Sequence, residues 1–205
     1  MIKNIVFDLG NVLISFRPSE FLDKFNYTEP LKTSILKDIF GSRYWLMLDN
    51  GDLTTEEAIE RIASESSLKR AIIDEIFNRR IEILIPIHSN VKILPELKKQ
   101  GFRLYYLSNF PDDLWKIIRN GYRKADYGFF RFFDGGMISA EAHSSKPDAQ
   151  IYNQLLSKYS LKPEECLFLD DLEINVRAAE SSGMNGIVTH GSHEIYAEIK
   201  TKLGL

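Results

Sequence analysis

Cysteine is nearly missing from the sequence. The single Cys166 excludes an intramolecular disulfide, and one thiol does not build a zinc site of the cysteine-rich kind; the compartment this predicts is a reducing cytoplasm. An excess of charge is missing too. Lys and Arg number 26 against 29 Asp and Glu, a formal net charge of −3, so no global electrostatic footprint exists for nucleic acid or an anionic membrane surface. No stretch approaches the roughly 20 apolar residues of a membrane span. The apolar opening Met1 to Phe7 meets Asp8 too early to form the apolar region of an export signal, so the expectation is neither signal nor anchor. No internal repeat or low-complexity tract is visible. His88, His143, His190 and His193 show no metal-ligand spacing and are expected in surface or loop positions, with His143, near Lys146, the one to test for chemistry.

What is present is a chain of 205 residues, 44% hydrophobic, enough for one core domain carrying a smaller insert. Ile5-Val6-Phe7 reads as a buried strand ending at Asp8-Leu9-Gly10-Asn11. From Pro18 to about Asn90 the texture is helical without strands between: Thr54 to Glu57 forms a capping box, and Ala58, Ile59, Ile62 and Ala63 follow on one face. Pro95 predicts a kink or a late start in a helix closed by Gly101. Strand candidates follow at 103–107, 135–139, 166–169 and 186–189. Helices alternate with them, one opening at Pro147 and another stopping at Gly183. Strands alternating with helices predict right-handed βαβ units, an α/β fold with a Rossmann-like parallel sheet, and the helical stretch is an insert within it.

In an open parallel sheet the ligand crevice lies beyond the carboxyl ends of the strands. Four polar signals fall at such ends or just before a helix: Asp8, Ser108-Asn109, Lys146-Pro147 and Asp170-Asp171. Separately, a cap, a turn or a solvated lysine explains each. Together they make a different case. Carboxylates converging on one crevice repel unless a hard divalent cation holds them, and Mg²⁺ is favoured where few protein oxygens and a phosphate complete its octahedron. A lysine adds a point charge for phosphate oxygens, and a serine hydroxyl with a strand-end amide adds neutral donors. These are the parts of a phosphoryl-transfer site with an aspartate nucleophile.

The order of these parts resembles the haloacid dehalogenase superfamily of hydrolases over nearly the whole chain. The resemblance is carried by residues 5–13, by Leu107-Ser108-Asn109, by residues 146–152, and by Phe168-Leu169-Asp170-Asp171 with Asn175 and Gly183 behind them. Within the superfamily, the paired acids and the stretch from Trp45 to Thr54 are most similar to the sugar-1-phosphate phosphatases and the N-terminal phosphatase domain of soluble epoxide hydrolases. The resemblance implies a core of residues 1–14 and 89–205 with a four-helix cap at 15–88. It implies that Asp8 is the nucleophile, that Asp171 holds Mg²⁺ with Asp8, and that Gly10 offers the metal its backbone carbonyl. Ser108 and Asn109 would bind the phosphoryl group, Lys146 would neutralise it, and Asp170 would contact the metal site or Lys146. Many family phosphatases carry a second aspartate two residues after the nucleophile, where this chain has Gly10.

The expectation is therefore a cytoplasmic, Mg²⁺-dependent phosphatase of a small phosphorylated metabolite, sugar phosphates favoured, acting as a monomer or homodimer without nucleic-acid or membrane partners. Two alternatives stand beside it. One is a 2-haloacid dehalogenase, which attacks carbon without a metal and leaves Asp170-Asp171 unexplained; the other is a regulatory module that only senses a phosphorylated ligand, Gly10 marking lost catalysis. A response-regulator receiver also uses acids, Ser and Lys, but has no need of the inserted helices. Tyr44 and Trp45 are open to either a pocket-lining or a cap-core role. Tyr122-Arg123-Lys124 and the aromatics from Phe129 to Phe133 predict a packed edge rather than a nucleic-acid platform.

Overall fold

Ile5, Val6 and Phe7 are wholly buried, as a continuous apolar run must be when a strand is covered on both faces. In the computed structural model, which describes residues 1–189 and 195–204, they form β1 (Asn4–Phe7). The chain continues through β2 (Ile14–Ser15), α1 (Pro18–Leu22), α2 (Glu29–Ile35), α3 (Arg43–Asp49), α4 (Thr55–Glu65), α5 (Arg70–Arg79) and β3 (Ile85–Pro86). After these come α6 (His88–Val91), α7 (Leu94–Lys99), β4 (Arg103–Ser108), α8 (Asp112–Arg119), β5 (Gly135–Ile138) and α9 (Ser139–Ala142). The last elements are α10 (Ala149–Lys158), β6 (Cys166–Asp170), α11 (Glu173–Ser181), β7 (Asn185–Val188) and α12 (Ile195–Leu203). No helix among the described residues is long and apolar enough to cross a membrane.

Five strands form one parallel sheet in the order β5-β4-β1-β6-β7, with Ile5 paired to both Leu104 and Leu167. Alternation along each strand divides the core. Ile5, Phe7 and Leu104 pack with Leu94, Leu114 and Trp115 on one face; Val6, Tyr105 and Phe168 pack with Ile151, Tyr152 and Leu155 on the other. The strand order reverses between β1 and β6, which puts the topological switch point between Asp8 and Asp170.

The helical insert has its own apolar cluster, including Phe21, Ile35, Ile39, Trp45, Ile62, Ile76 and Phe77. The expected capping box is present: Thr54 caps α4 and Glu57 reaches back to it. Four longer helical elements are α2, continued by a π turn over Leu36–Phe40, and α3 to α5; the short α1 precedes them. The insert leaves and rejoins the core through a two-stranded antiparallel ribbon, Ile14 opposite Pro86 and Ser15 opposite Ile85. Two proline readings are resolved. Pro95 lies in the first turn of α7, a late start rather than a kink, whereas Pro147 does not open α10. The helix begins at Ala149, with the Asp148 carboxylate accepting from the Gln150 amide at 3.1 Å, and Pro147 lies before that cap across a cis peptide bond.

Candidate active site

The carboxyl edge of the sheet brings the acids together. Asp8 follows β1, and its amide donates to the Leu169 carbonyl at 2.8 Å, which ties it to β6. Lys146 lies between two carboxylates, its Nζ 2.8 Å from Asp8 Oδ1 and 2.6 Å from Asp170 Oδ2, with all three side chains buried. One oxygen from each of Asp8, Asp170 and Asp171 lies within 4.8 Å of the others, a hard, all-oxygen donor set suited to a cation such as Mg²⁺.

The two adjacent acids differ in surroundings. Asp170 accepts from the Leu172 amide at 2.8 Å and from Asn175 Nδ2 at 3.0 and 3.1 Å, in addition to Lys146. Asp171 is half-buried on the wall of a cavity of about 230 Å³ and accepts a hydrogen bond from Asn11 Nδ2 at 3.1 Å. Burial pushes the Asp8 carboxyl up to about 6; Lys146 opposes this, Asp170 adds to it, and hydrogen bonds from Lys146 and Ser108 pull it back. Burial also raises Asp171, against the Asn11 hydrogen bond. For Lys146 burial disfavours the ammonium, yet Asp8 and Asp170 outweigh it and hold its pKa above the usual lysine value.

Of the residues singled out in the sequence, Asp8, Gly10, Ser108, Asn109, Lys146 and Asp171 all line this cavity. Asp170 stands behind it, joined through Lys146. The Asn109 side chain holds the lysine from behind: Nδ2 donates to the Lys146 carbonyl at 3.0 Å and Oδ1 accepts the Lys146 amide at 2.9 Å, so it clamps the lysine's backbone. Trp45 lines the cavity with Phe16, while Tyr44 belongs to the helical core, its hydroxyl engaged by Glu65 and Arg43. His143 and His88 are exposed and do not line the cavity; His190 and His193 lie outside the described residues. The aromatic stretch is a packed edge, with Phe130 set edge-on against Tyr106 and Trp115.

Two contributors carry no sequence signal strong enough to single them out. Asn11, at a φ of 51° that asparagine tolerates better than most residues, orients Asp171 and accepts the Phe16 amide at 2.9 Å. Asp49, the last residue of α3, projects the insert onto the cavity wall. Burial pushes its carboxyl up to about 7, with Asp113 adding to the shift.

Comparison with known proteins follows the same line. A family model for haloacid dehalogenase-like hydrolases matches residues 2–183. Sesquiterpene phosphatase astK of Aspergillus oryzae is 27% identical over 202 residues, covering 98% of this chain and 97% of the relative. Among solved structures, a HAD family enzyme of Bacteroides thetaiotaomicron in complex with magnesium superposes with a TM-score of 0.69 at 25% identity, over 91% of this chain and 92% of that one. A HAD-like hydrolase of Porphyromonas gingivalis gives a TM-score of 0.76 at 22% identity, covering 99% and 98% of the two chains, which speaks to the fold.

Proposed function

Because the chain belongs to the haloacid dehalogenase-like hydrolases, we propose that it is a Mg²⁺-dependent phosphatase that takes a small phosphorylated metabolite through an aspartyl-phosphate on Asp8. The observation that carries this reading is the contact group at the cavity, one lysine between two buried carboxylates with a third acid on the wall. The phosphatase relative and the magnesium-bound neighbour support it.

Asp8 Oδ attacks phosphorus as the ester oxygen departs. Lys146 keeps Asp8 anionic and oriented, and its charge offsets that of the phosphoryl oxygens. Ser108 donates its hydroxyl, and Asn109 contributes through its backbone while its side chain holds Lys146 in place. Asp8, Asp171 and the Gly10 carbonyl would hold Mg²⁺, with Asp170 reserved for Lys146. When bound, the cation relieves repulsion among the carboxylates and the phosphate. A metal-free attack on carbon gives Asp171 no task, so the dehalogenase alternative is not favoured.

The cavity wall bears on the class of substrate. Beyond the catalytic group it is largely apolar, with Ile14, Phe16, Trp45, Leu84, Phe110 and Leu114. Few donors are present for sugar hydroxyls, which favours a leaving group with an apolar body. The test is phosphate release with Mg²⁺ from a panel spanning sugar, alkyl and terpenyl phosphates, with mass spectrometry of acid-quenched protein. Turnover with a phosphoryl adduct at Asp8 is expected, and turnover without any adduct at Asp8 in a rapid quench would remove the proposed intermediate.

A further inference from the structure

Gly10 leaves open which group protonates the departing oxygen. The titratable residues on the cavity wall, among the described residues, are Asp8, Asp49, Lys146 and Asp171. Asp8 and Asp171 belong to the cation group, and Lys146 is held between carboxylates as a cation. Asp49 is left. Its side chain makes no hydrogen bond or ion pair with the described residues, although the same cavity is lined by the nucleophile.

Its position is nevertheless fixed. The Asp49 carbonyl accepts the Ser139 hydroxyl at the carboxyl end of β5, and Ser139 Oγ in turn accepts the Phe110 amide at 2.9 Å, just beyond Ser108-Asn109. Two residues after Asp49, Gly51 has a φ of +74°, and a Cβ there would lie 2.9 Å from the Ala140 carbonyl oxygen. The end of α3 is thus pinned to the sheet edge from which the other catalytic groups rise. Asp113 on α8 is the charge behind Asp49, itself engaged by Arg80 and Thr55.

We infer that Asp49 is the general acid and base of this site, supplied by the helical insert in place of an acid next to the nucleophile. The assignment rests on the phosphatase reading above. In the first step the Asp8 oxygen bonds to phosphorus, the bond from phosphorus to the leaving oxygen breaks, and that oxygen takes the Asp49 carboxyl proton. In the second, water attacks phosphorus and gives a proton back to Asp49 as the bond from phosphorus to Asp8 breaks. Phosphate and alcohol leave, and both aspartates are restored. The elevated pKa of Asp49 keeps a useful fraction protonated near neutrality.

The test is kcat/KM for phosphate esters graded by leaving-group pKa, from p-nitrophenyl to simple alkyl, in wild type, Asp49→Asn and Asp49→Asn with Gly10→Asp, with thermal melts to verify folding. General acid catalysis is commonly worth about 10²–10⁴-fold. Asp49→Asn should lose that much on alkyl esters while keeping kcat/KM for the aryl ester within a few-fold, and should give a burst of nitrophenolate as the aspartyl-phosphate accumulates. A Cβ at Gly10 meets nothing closer than Asp8 Oδ2 at 3.6 Å, so the second substitution should restore alkyl turnover by returning an acid beside the nucleophile. Equal losses across the series, or none, overturn the role of Asp49. A wild-type protein that releases phosphate from no ester overturns the phosphatase reading, and this assignment with it.

Discussion

Replacing Lys146 with methionine probes the charge balance of the site. The lysine is 5% exposed, and its ammonium is 2.8 Å from Asp8 and 2.6 Å from Asp170, so the change keeps the stem and removes the cation between two buried anions. Removing one partner of a buried pair costs about 3–5 kcal/mol, and here the anions left behind also repel. A carboxylate with a raised folded pKa takes up a proton on folding, so its contribution to stability is full at low pH and is lost as pH rises through the window between the unfolded and folded values. Asp8 stands at about 6 with Lys146 present and moves higher without it. The variant's deficit must therefore grow as pH rises above about 6, at up to roughly 1.4 kcal/mol per pH unit for one proton, across the range up to the variant's own higher Asp8 value. The assay is urea unfolding of both proteins in EDTA across that range, followed by circular dichroism. Adding Asp170→Asn should recover part of the loss at high pH. A deficit of constant size at every pH would refute the argument, because it would mean that the buried carboxylates do not depend on the lysine.

Asp8→Asn should fold normally and lose roughly three orders of magnitude or more in kcat, since the amide cannot attack as an anion; phosphate release with a matched melting temperature checks it. Asp171→Ala should weaken Mg²⁺ binding in calorimetry with little change in melting temperature, while Asp170→Ala should destabilise the fold by about 3–5 kcal/mol because Lys146 and Asn175 lose their shared partner; the reverse pattern would exchange the two roles. Because protons and the cation compete for Asp8, apparent Mg²⁺ affinity should fall up to about tenfold per unit as pH drops below about 6, and a flat calorimetric profile from pH ~7.5 to ~5 would count against Asp8 as a ligand.

Unbroken apolar runs made the sheet readable. Ile5-Val6-Phe7 and Cys166 to Leu169 are short apolar runs rich in β-branched and aromatic residues and read as strands covered on both faces, and the acids at their ends then fall at the switch point by topology. Local signals misled where two residue types compete for one helix start: Pro147 was expected to open α10, yet Asp148 can accept the Gln150 amide and takes the cap. Asn109 has side-chain partners on Lys146, far away in the sequence, which no spacing rule anticipates. Asp49 was illegible for the same reason. Its local setting is an ordinary helix end, and only the docking of Ser139 and Ala140 against it brings it to the cavity.

The ribbon between Ile14-Ser15 and Ile85-Pro86 means that the insert departs from and returns to adjacent points. Strand register in the sheet therefore does not depend on how long the insert is or what it contains. Asp8, Ser108, Lys146, Asp170 and Asp171 come from one side of that junction, Trp45 and Asp49 from the other. A change confined to the far side of the ribbon can therefore reshape the wall that carries Trp45 and Asp49 while Asp8 keeps Lys146, Asp170 and Asp171 as its neighbours.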